Sequence, residues 1–159
     1  MIIKQIVDEV FQDYKKPAMM ISSCLCDWKC LKEQSLDFSI CQNSKLALQK
    51  DILLSNKTII DRYISNPITQ AIVIAGLEPF LQFEEIIEFI SQFREVCNDD
   101  IVIYTGYYPN EIEKEINILK QYKNIIIKFG RFKTDSNKKF DKILGVELVS
   151  DNQFAEKIS

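Results

Sequence analysis

Five cysteines and no histidine set the chemistry open to this chain of 159 residues. Four of the cysteines fall in one polar stretch, which reads Cys24-Leu-Cys26-Asp-Trp-Lys-Cys30 and, after ten further residues, Cys41-Gln-Asn43. Three residues separate Cys26 from Cys30, a gap that lets two thiolates of one looped segment reach a single soft metal centre. A cubane iron–sulfur cluster normally takes four cysteines. With three, one iron stays open to bind and activate a small molecule, by the logic of an open zinc position. Two other readings remain open at this point. One is a structural zinc site on Cys24, Cys26, Cys30 and Cys41. The other is a set of small core thiols, against which the clustering in a polar loop speaks. Cys97, on the apolar stripe of a predicted helix, reads as a core thiol.

The absences narrow the chemistry further. Without histidine, Ser-His-Asp and Cys-His catalysis and His-ligated zinc hydrolysis are excluded. The four glycines form neither a dinucleotide fingerprint nor a phosphate-binding loop. A bound cofactor is therefore expected to perform the difficult step. A net charge of −3 with scattered lysines gives no basis for nucleic-acid binding, and Lys138-Lys139 reads as a solvated loop. No apolar run approaches the roughly 20 residues that cross a bilayer, so no membrane is expected. Charges break the N-terminal segment too early for a secretory h-region. The expectation is a cytoplasmic protein whose thiols stay reduced, where clustered cysteines point to metal or redox chemistry before disulfides.

These residues need elements to position them. Four apolar runs, Ala18–Ser22, Ala71–Ala75, Ile101–Tyr104 and Ile125–Phe129, suit strands of a parallel sheet covered on both faces. Val146–Val149, after Gly145, is a fifth candidate. Between them the period becomes helical. Ile59, Ile60, Tyr63 and Ile64 follow the capping pair Ser55-Asn56, and Asn66-Pro67 ends that stripe. Phe83, Ile86, Ile87, Ile90, Phe93 and Cys97 make a second stripe. Ile112, Ile116 and Leu119 make a third, opened by Pro109-Asn110 and its glutamates. The predicted fold is α/β: repeated βα units forming a parallel sheet, open or part of a barrel, in one domain over residues 1–159. Each unusual loop follows a strand: the cysteine segment, Gly76-Leu-Glu-Pro, Thr105-Gly-Tyr-Tyr and Gly130-Arg-Phe. In a parallel sheet these loops open on one edge, where α/β proteins build their sites.

With those motifs in order, the chain resembles the small activating proteins of anaerobic ribonucleotide reductase, within the radical S-adenosylmethionine superfamily. The signature there is C-x3-C-x2-C with Asn two residues after the last cysteine. Cys26-x3-Cys30 matches its first half and Cys41-Gln-Asn43 resembles its second. Ala75-Gly-Leu-Glu-Pro79 resembles a Gly-Gly-Glu-Pro turn, and Tyr104-Thr-Gly-Tyr107 a Tyr-Thr-Gly-Tyr segment. Gly130-Arg-Phe132 and Ser150-Asp-Asn-Gln153 resemble Gly-Arg-Phe and Ser-Asn-Gln elements. The likeness runs from about Met19 to Gln153. Two departures accompany it: the gap after Cys30 is eight residues longer than the signature, and Leu77 replaces the second glycine. That replacement is tolerable only at negative φ.

What the resemblance implies is specific. The fold would be a partial (β/α) barrel of radical S-adenosylmethionine type. Cys26, Cys30 and Cys41 would hold one 4Fe–4S cluster, whose free iron would chelate S-adenosylmethionine and, on reduction, release a 5′-deoxyadenosyl radical. Gly76, Leu77, Glu78 and Pro79 would grip the methionyl end, and Thr105 and Gly106 would line the nucleoside side. The target would be a backbone glycine in a glycyl radical enzyme, expected to be the large subunit of anaerobic ribonucleoside-triphosphate reductase. A reductant such as flavodoxin or ferredoxin would supply the electron. The competing reading is a non-catalytic iron–sulfur or zinc-binding interaction module that keeps the fold without the reaction. Trp28 is expected to pack the loop onto the sheet. Tyr107 and Tyr108 could face the cofactor or cap the strand edge. Glu111, Glu113 and Glu115 read as a solvated helix face.

Overall fold

The four apolar runs form the centre of one six-stranded sheet in the computed structural model, which describes residues 1–159. In chain order the strands are β1 (Ile2–Ile3), β2 (Gln5–Val10), β3 (Ala18–Ser23), β4 (Ile52–Leu53), β5 (Ala71–Gly76), β6 (Asp100–Tyr104), β7 (Ile125–Phe129), β8 (Lys139–Asp141), β9 (Val146–Leu148) and β10 (Phe154–Lys157). The helices are α1 (Lys29–Glu33), α2 (Ser44–Ala47), α3 (Asn56–Ile64), α4 (Phe83–Arg94) and α5 (Glu113–Leu119). Three single 3-10 turns, Phe38–Ile40, Pro79–Gln82 and Pro109–Glu111, complete them.

The sheet order is β10-β7-β6-β5-β3-β2. Strands β3, β5, β6 and β7 are parallel, as their continuous apolar sequences require. Both edges are antiparallel, β2 against β3 and β10 against β7. The chain is therefore α/β with a mixed sheet, parallel only at its centre. The fifth expected strand does not join it: β9 pairs with β8 in a separate hairpin. The reason is local. The Asp141 carboxylate accepts the N–H groups of Ile143, Leu144 and Ala155, and Gly145 takes φ +74°, so the chain reverses onto itself.

Alternation along the strands divides their residues between two faces. Isoleucines such as Ile21, Ile74, Ile103 and Ile127 meet the apolar stripes of α3, α4 and α5 in the larger core. Phe89, Ile90 and Phe93 of α4 are fully buried there. Ser55 caps α3 by accepting the Thr58 N–H at 3.0 Å, as expected. Two stripe members fall elsewhere: Ile64 is exposed at the end of α3, and Cys97 lies in the turn after α4, half-buried against the core. The opposite face carries small residues, Ala18, Ala71, Val73 and Ala75, beneath Tyr14, Leu144 and Leu148. Small side chains on that face leave room for a cavity at its C-terminal end. No helix is long and apolar enough to cross a membrane.

Candidate metal centre and cofactor cavity

The loops after β3, β5, β6 and β7 meet at one sheet edge and surround a cavity of about 410 Å³. Cys26, Cys30 and Cys41 all line it. Cys24 does not. Its N–H donates to Gln82 Oε1 at 2.6 Å, and its thiol feels the charges of Asp51, Glu85 and Lys4 instead. Met20, Ser22, Ala75, Tyr104 and Lys128 form the floor, and Gln5, Asp13 and the 146–149 segment close the far side.

The long gap between Cys30 and Cys41 has a physical account. Trp28 adopts φ +59° and starts α1, so the chain turns sharply between Cys26 and Cys30. After α1 the Leu36 N–H returns to the Leu31 carbonyl, and Asp37 accepts from Ser39 N–H to cap the Phe38–Ile40 turn. The Phe38 ring meets the Trp28 ring edge-on at 4.8 Å. The ten intervening residues are thus a closed excursion, and Cys41 comes back to the cavity it shares with Cys30. Trp28 both packs this loop and lines the cavity. Asn43 then ties the segment to the sheet by donating to the Gly76 carbonyl.

The turn after β5 is shaped by Gly76 at φ +90°. A Cβ there would stand 2.9 Å from Leu46 Cδ2 and 3.0 Å from Ser22 Cβ, so only glycine fits. Leu77 is not among the residues at positive φ, and the leucine is accommodated without strain. Glu78 is buried. Its N–H donates to the Leu25 carbonyl at 2.6 Å, fixing the residue just before Cys26. Its carboxylate accepts from Thr105 Oγ1 at 2.7 Å, Gly106 N–H at 2.9 Å and Phe80 N–H at 3.2 Å. Glu78 therefore binds the two turns together. Gly76, Leu77, Glu78 and Gly106 line the cavity; Pro79 and Thr105 lie behind them, buried, and hold the turns in shape.

Burial governs the electrostatics. It pushes the Glu78 carboxyl up to about 7 against its three donors, and pushes the Cys26 thiol up to about 12. Burial also raises Cys30, with Cys41 the next contributor. Metal binding must then displace protons from these thiols. Lys128, which sequence reasoning passed over, is 7% exposed and donates to the Gly130 carbonyl at 3.0 Å. Burial lowers it to about 7. It is the one cation among the lining residues. Its signal was present: a lysine interrupting Ile125-Ile-Ile-Lys-Phe sits where charge is rarely tolerated.

Glu111 departs from the expectation of a solvated helix face. It lies in the turn before α5 and pairs with Arg131 and Lys29, and the Arg131 hydrogen bonds hold its carboxyl down at about 2. Tyr107 donates to Asp27 Oδ2 at 2.8 Å and Tyr108 accepts from Asn152, so both tyrosines brace loops.

The residues fit an iron–sulfur cluster by the chemistry of their donors. Three soft thiols surround one cavity, and the Cys26 and Cys41 sulfurs each accept a backbone N–H, from Trp28 and Asn43, at 3.4 Å. No three Cys, Asp or Glu side chains converge closely enough to grip a single ion. A family model described as a 4Fe-4S single cluster domain matches residues 14–153. No curated protein and no solved structure matches the chain.

Proposed function

We propose, from the premise that this chain belongs to the 4Fe-4S single cluster domain family, that it is a radical S-adenosylmethionine activase for a glycyl radical enzyme. The observation that carries this reading is the single cavity shared by Cys26, Cys30, Cys41, the Gly76–Glu78 turn and Lys128. Three thiolates would hold the cluster and leave one iron coordination position for a ligand. When bound and reduced, the cluster would supply the electron that cleaves the sulfonium of S-adenosylmethionine.

The chain's own residues bind, orient and exclude water. Lys128 offers a cation to the ligand's carboxylate. Gly76 and Leu77 present backbone to its methionyl end, in a turn that packs against Leu46 and Ser22 because Gly76 lacks a Cβ. Glu78, backed by Pro79 and Thr105, holds that turn against Gly106 on the nucleoside side. Two buried polar atoms on the wall have no protein partner, Ser22 Oγ and Asp13 Oδ2, as suits a cavity that receives a polar ligand. Helices on one face and a cavity on the other also suit a partial (β/α) barrel of radical S-adenosylmethionine type. The proposed target is the large subunit of anaerobic ribonucleotide reductase, with a flavodoxin or ferredoxin as reductant, in the cytoplasm.

The test is anaerobic reconstitution with iron and sulfide, followed by addition of S-adenosylmethionine and a strong reductant. Formation of 5′-deoxyadenosine and methionine is expected. A fully loaded protein that neither binds nor cleaves S-adenosylmethionine would leave the family's cluster in place and remove the activase reading. Zinc in place of iron in protein isolated without oxygen would favour a non-catalytic interaction module.

A further inference from the structure

Three sequence motifs carry no ligand in the account above: Gly130-Arg-Phe132, Tyr107-Tyr108 and Ser150-Asp-Asn-Gln153. The structure joins them into one chain of contacts. Gln153 Nε2 donates to the Gly130 carbonyl at 3.2 Å, and Asn152 Nδ2 donates to the Arg131 carbonyl and to Tyr108 Oη, both at 3.0 Å. Ser150 Oγ accepts from Lys133 N–H at 2.9 Å and donates back to its carbonyl. The backbone from Gly130 to Lys133 is therefore held by the C-terminal turn.

From that fixed backbone the Arg131 side chain, 6% exposed, reaches toward the cysteine loop. Its two terminal nitrogens donate to Glu111 at 2.7 and 2.6 Å, a bidentate pair. One of them also donates to the Gly106 carbonyl at 3.3 Å, and the guanidinium lies 5.0 Å over the Tyr108 ring. Its Nε stands 2.9 Å from Glu33 Oε2 but lacks hydrogen-bond alignment, so that contact is ionic. Glu111 in turn receives Lys29 Nζ at 2.9 Å. Tyr107 holds Asp27, and Gln34 Nε2 donates to the carbonyls of both Cys30 and Phe132 at 2.7 Å. Asp27, Lys29, Glu33 and Gln34, the residues threaded through and just past the Cys26–Cys30 segment, are all anchored to the loops after β6 and β7. A lysine at position 131 could supply the charge but not the fork.

We propose that Arg131 is a positioning residue that sets where the Cys26 and Cys30 thiols stand relative to Cys41. The clamp itself rests on the contacts above; its effect on a cluster rests on the reading that these thiols bind one. A purely structural role would weaken the whole fold evenly, whereas a clamp acts on two thiols of the five.

The test compares R131M and R131K with R62M, which breaks the remote surface pair with Asp8. The first readout needs no metal: alkylation rates of the five cysteines in the reduced, metal-free protein. The second is the electron paramagnetic resonance spectrum of the reduced, reconstituted protein. R131M is expected to speed alkylation of Cys26 and Cys30 about tenfold, leave Cys24 and Cys97 within about twofold, and alter the spectrum. R131K should fall between R131M and wild type, and R62M should match wild type. Equal acceleration of all five cysteines, or none with an unchanged spectrum, would overturn the clamp. A selective alkylation change in a protein that takes up no iron would uphold the clamp and remove the cluster assignment. If R131M does not fold, E33Q, which removes only the ionic arm, is read by the same two measurements.

Discussion

Burial weakens the charge of Lys128, while pairing secures that of Glu111. The Lys128 ammonium is buried and destabilised by that burial, and the Gly130 carbonyl it meets is also served by Gln153. Replacing it with methionine removes a buried charge without orphaning an acceptor. K128M should therefore keep the thermal stability of the metal-free protein or raise it. Its affinity for S-adenosylmethionine should fall by about tenfold or more, read by anaerobic equilibrium dialysis. An unchanged affinity would remove Lys128 from the ligand site. Glu111 is the reverse case, held ionised by Arg131 from an ordinary value of 4.5 down to about 2. A depressed carboxyl stabilises the fold fully above its unfolded value and loses that contribution as pH falls through the folded one. Between about pH 4.5 and pH 2 wild type should lose more stability than E111Q, in denaturant titrations at successive pH values. That Cys26, Cys30 and Cys41 share one cavity was legible from their clustering in a polar loop after a strand. The roles of Arg131 and Glu111 were not, because the pair joins two loops 20 residues apart in sequence.

Elements built from continuous apolar runs were readable, since a strand buried on both faces needs no partner to announce it. All four central strands, the Ser55 cap of α3 and most of the apolar stripes of α3, α4 and α5 follow from sequence. The edges were not readable: Gln5–Val10 and Phe154–Lys157 mix polar and apolar residues, and their strand identity depends on pairing with β3 and β7. The same dependence hid the hairpin partner of β9. Substitutions at this scale have definite expectations. F89A empties the centre of the helix-side core and should cost about 3–5 kcal/mol in urea denaturation. G76A meets both an unfavourable φ and the Leu46 side chain, and should cost about 1–3 kcal/mol. It should also displace the α2 segment that follows Cys41, so iron uptake should fall with stability. A G76A protein as stable as wild type would show that the turn tolerates a side chain.

Across the whole molecule, one sheet separates two unequal cores. The helix side is filled by large residues, while alanines on the other side leave the cavity open toward the cysteine loop. That division makes cofactor and ligand separable. A75L adds bulk to the cavity floor and should spare iron loading while abolishing S-adenosylmethionine binding. Loss of both would mean that the floor shapes the metal site as well. The sheet edge as the site was legible from the positions of the loops; the asymmetry of the two faces was not, since it depends on which alternate residues the hairpin and the 11–17 loop cover. The central claim is the sharing of one cluster by Cys26, Cys30 and Cys41, and iron and sulfide content across the five single Cys→Ser variants tests it most directly. Wild type, C24S and C97S should each carry about four irons and four sulfides per chain after anaerobic reconstitution. C26S, C30S and C41S should lose most of both. Full loading of any of those three, or loss on changing Cys24, would contradict the assignment.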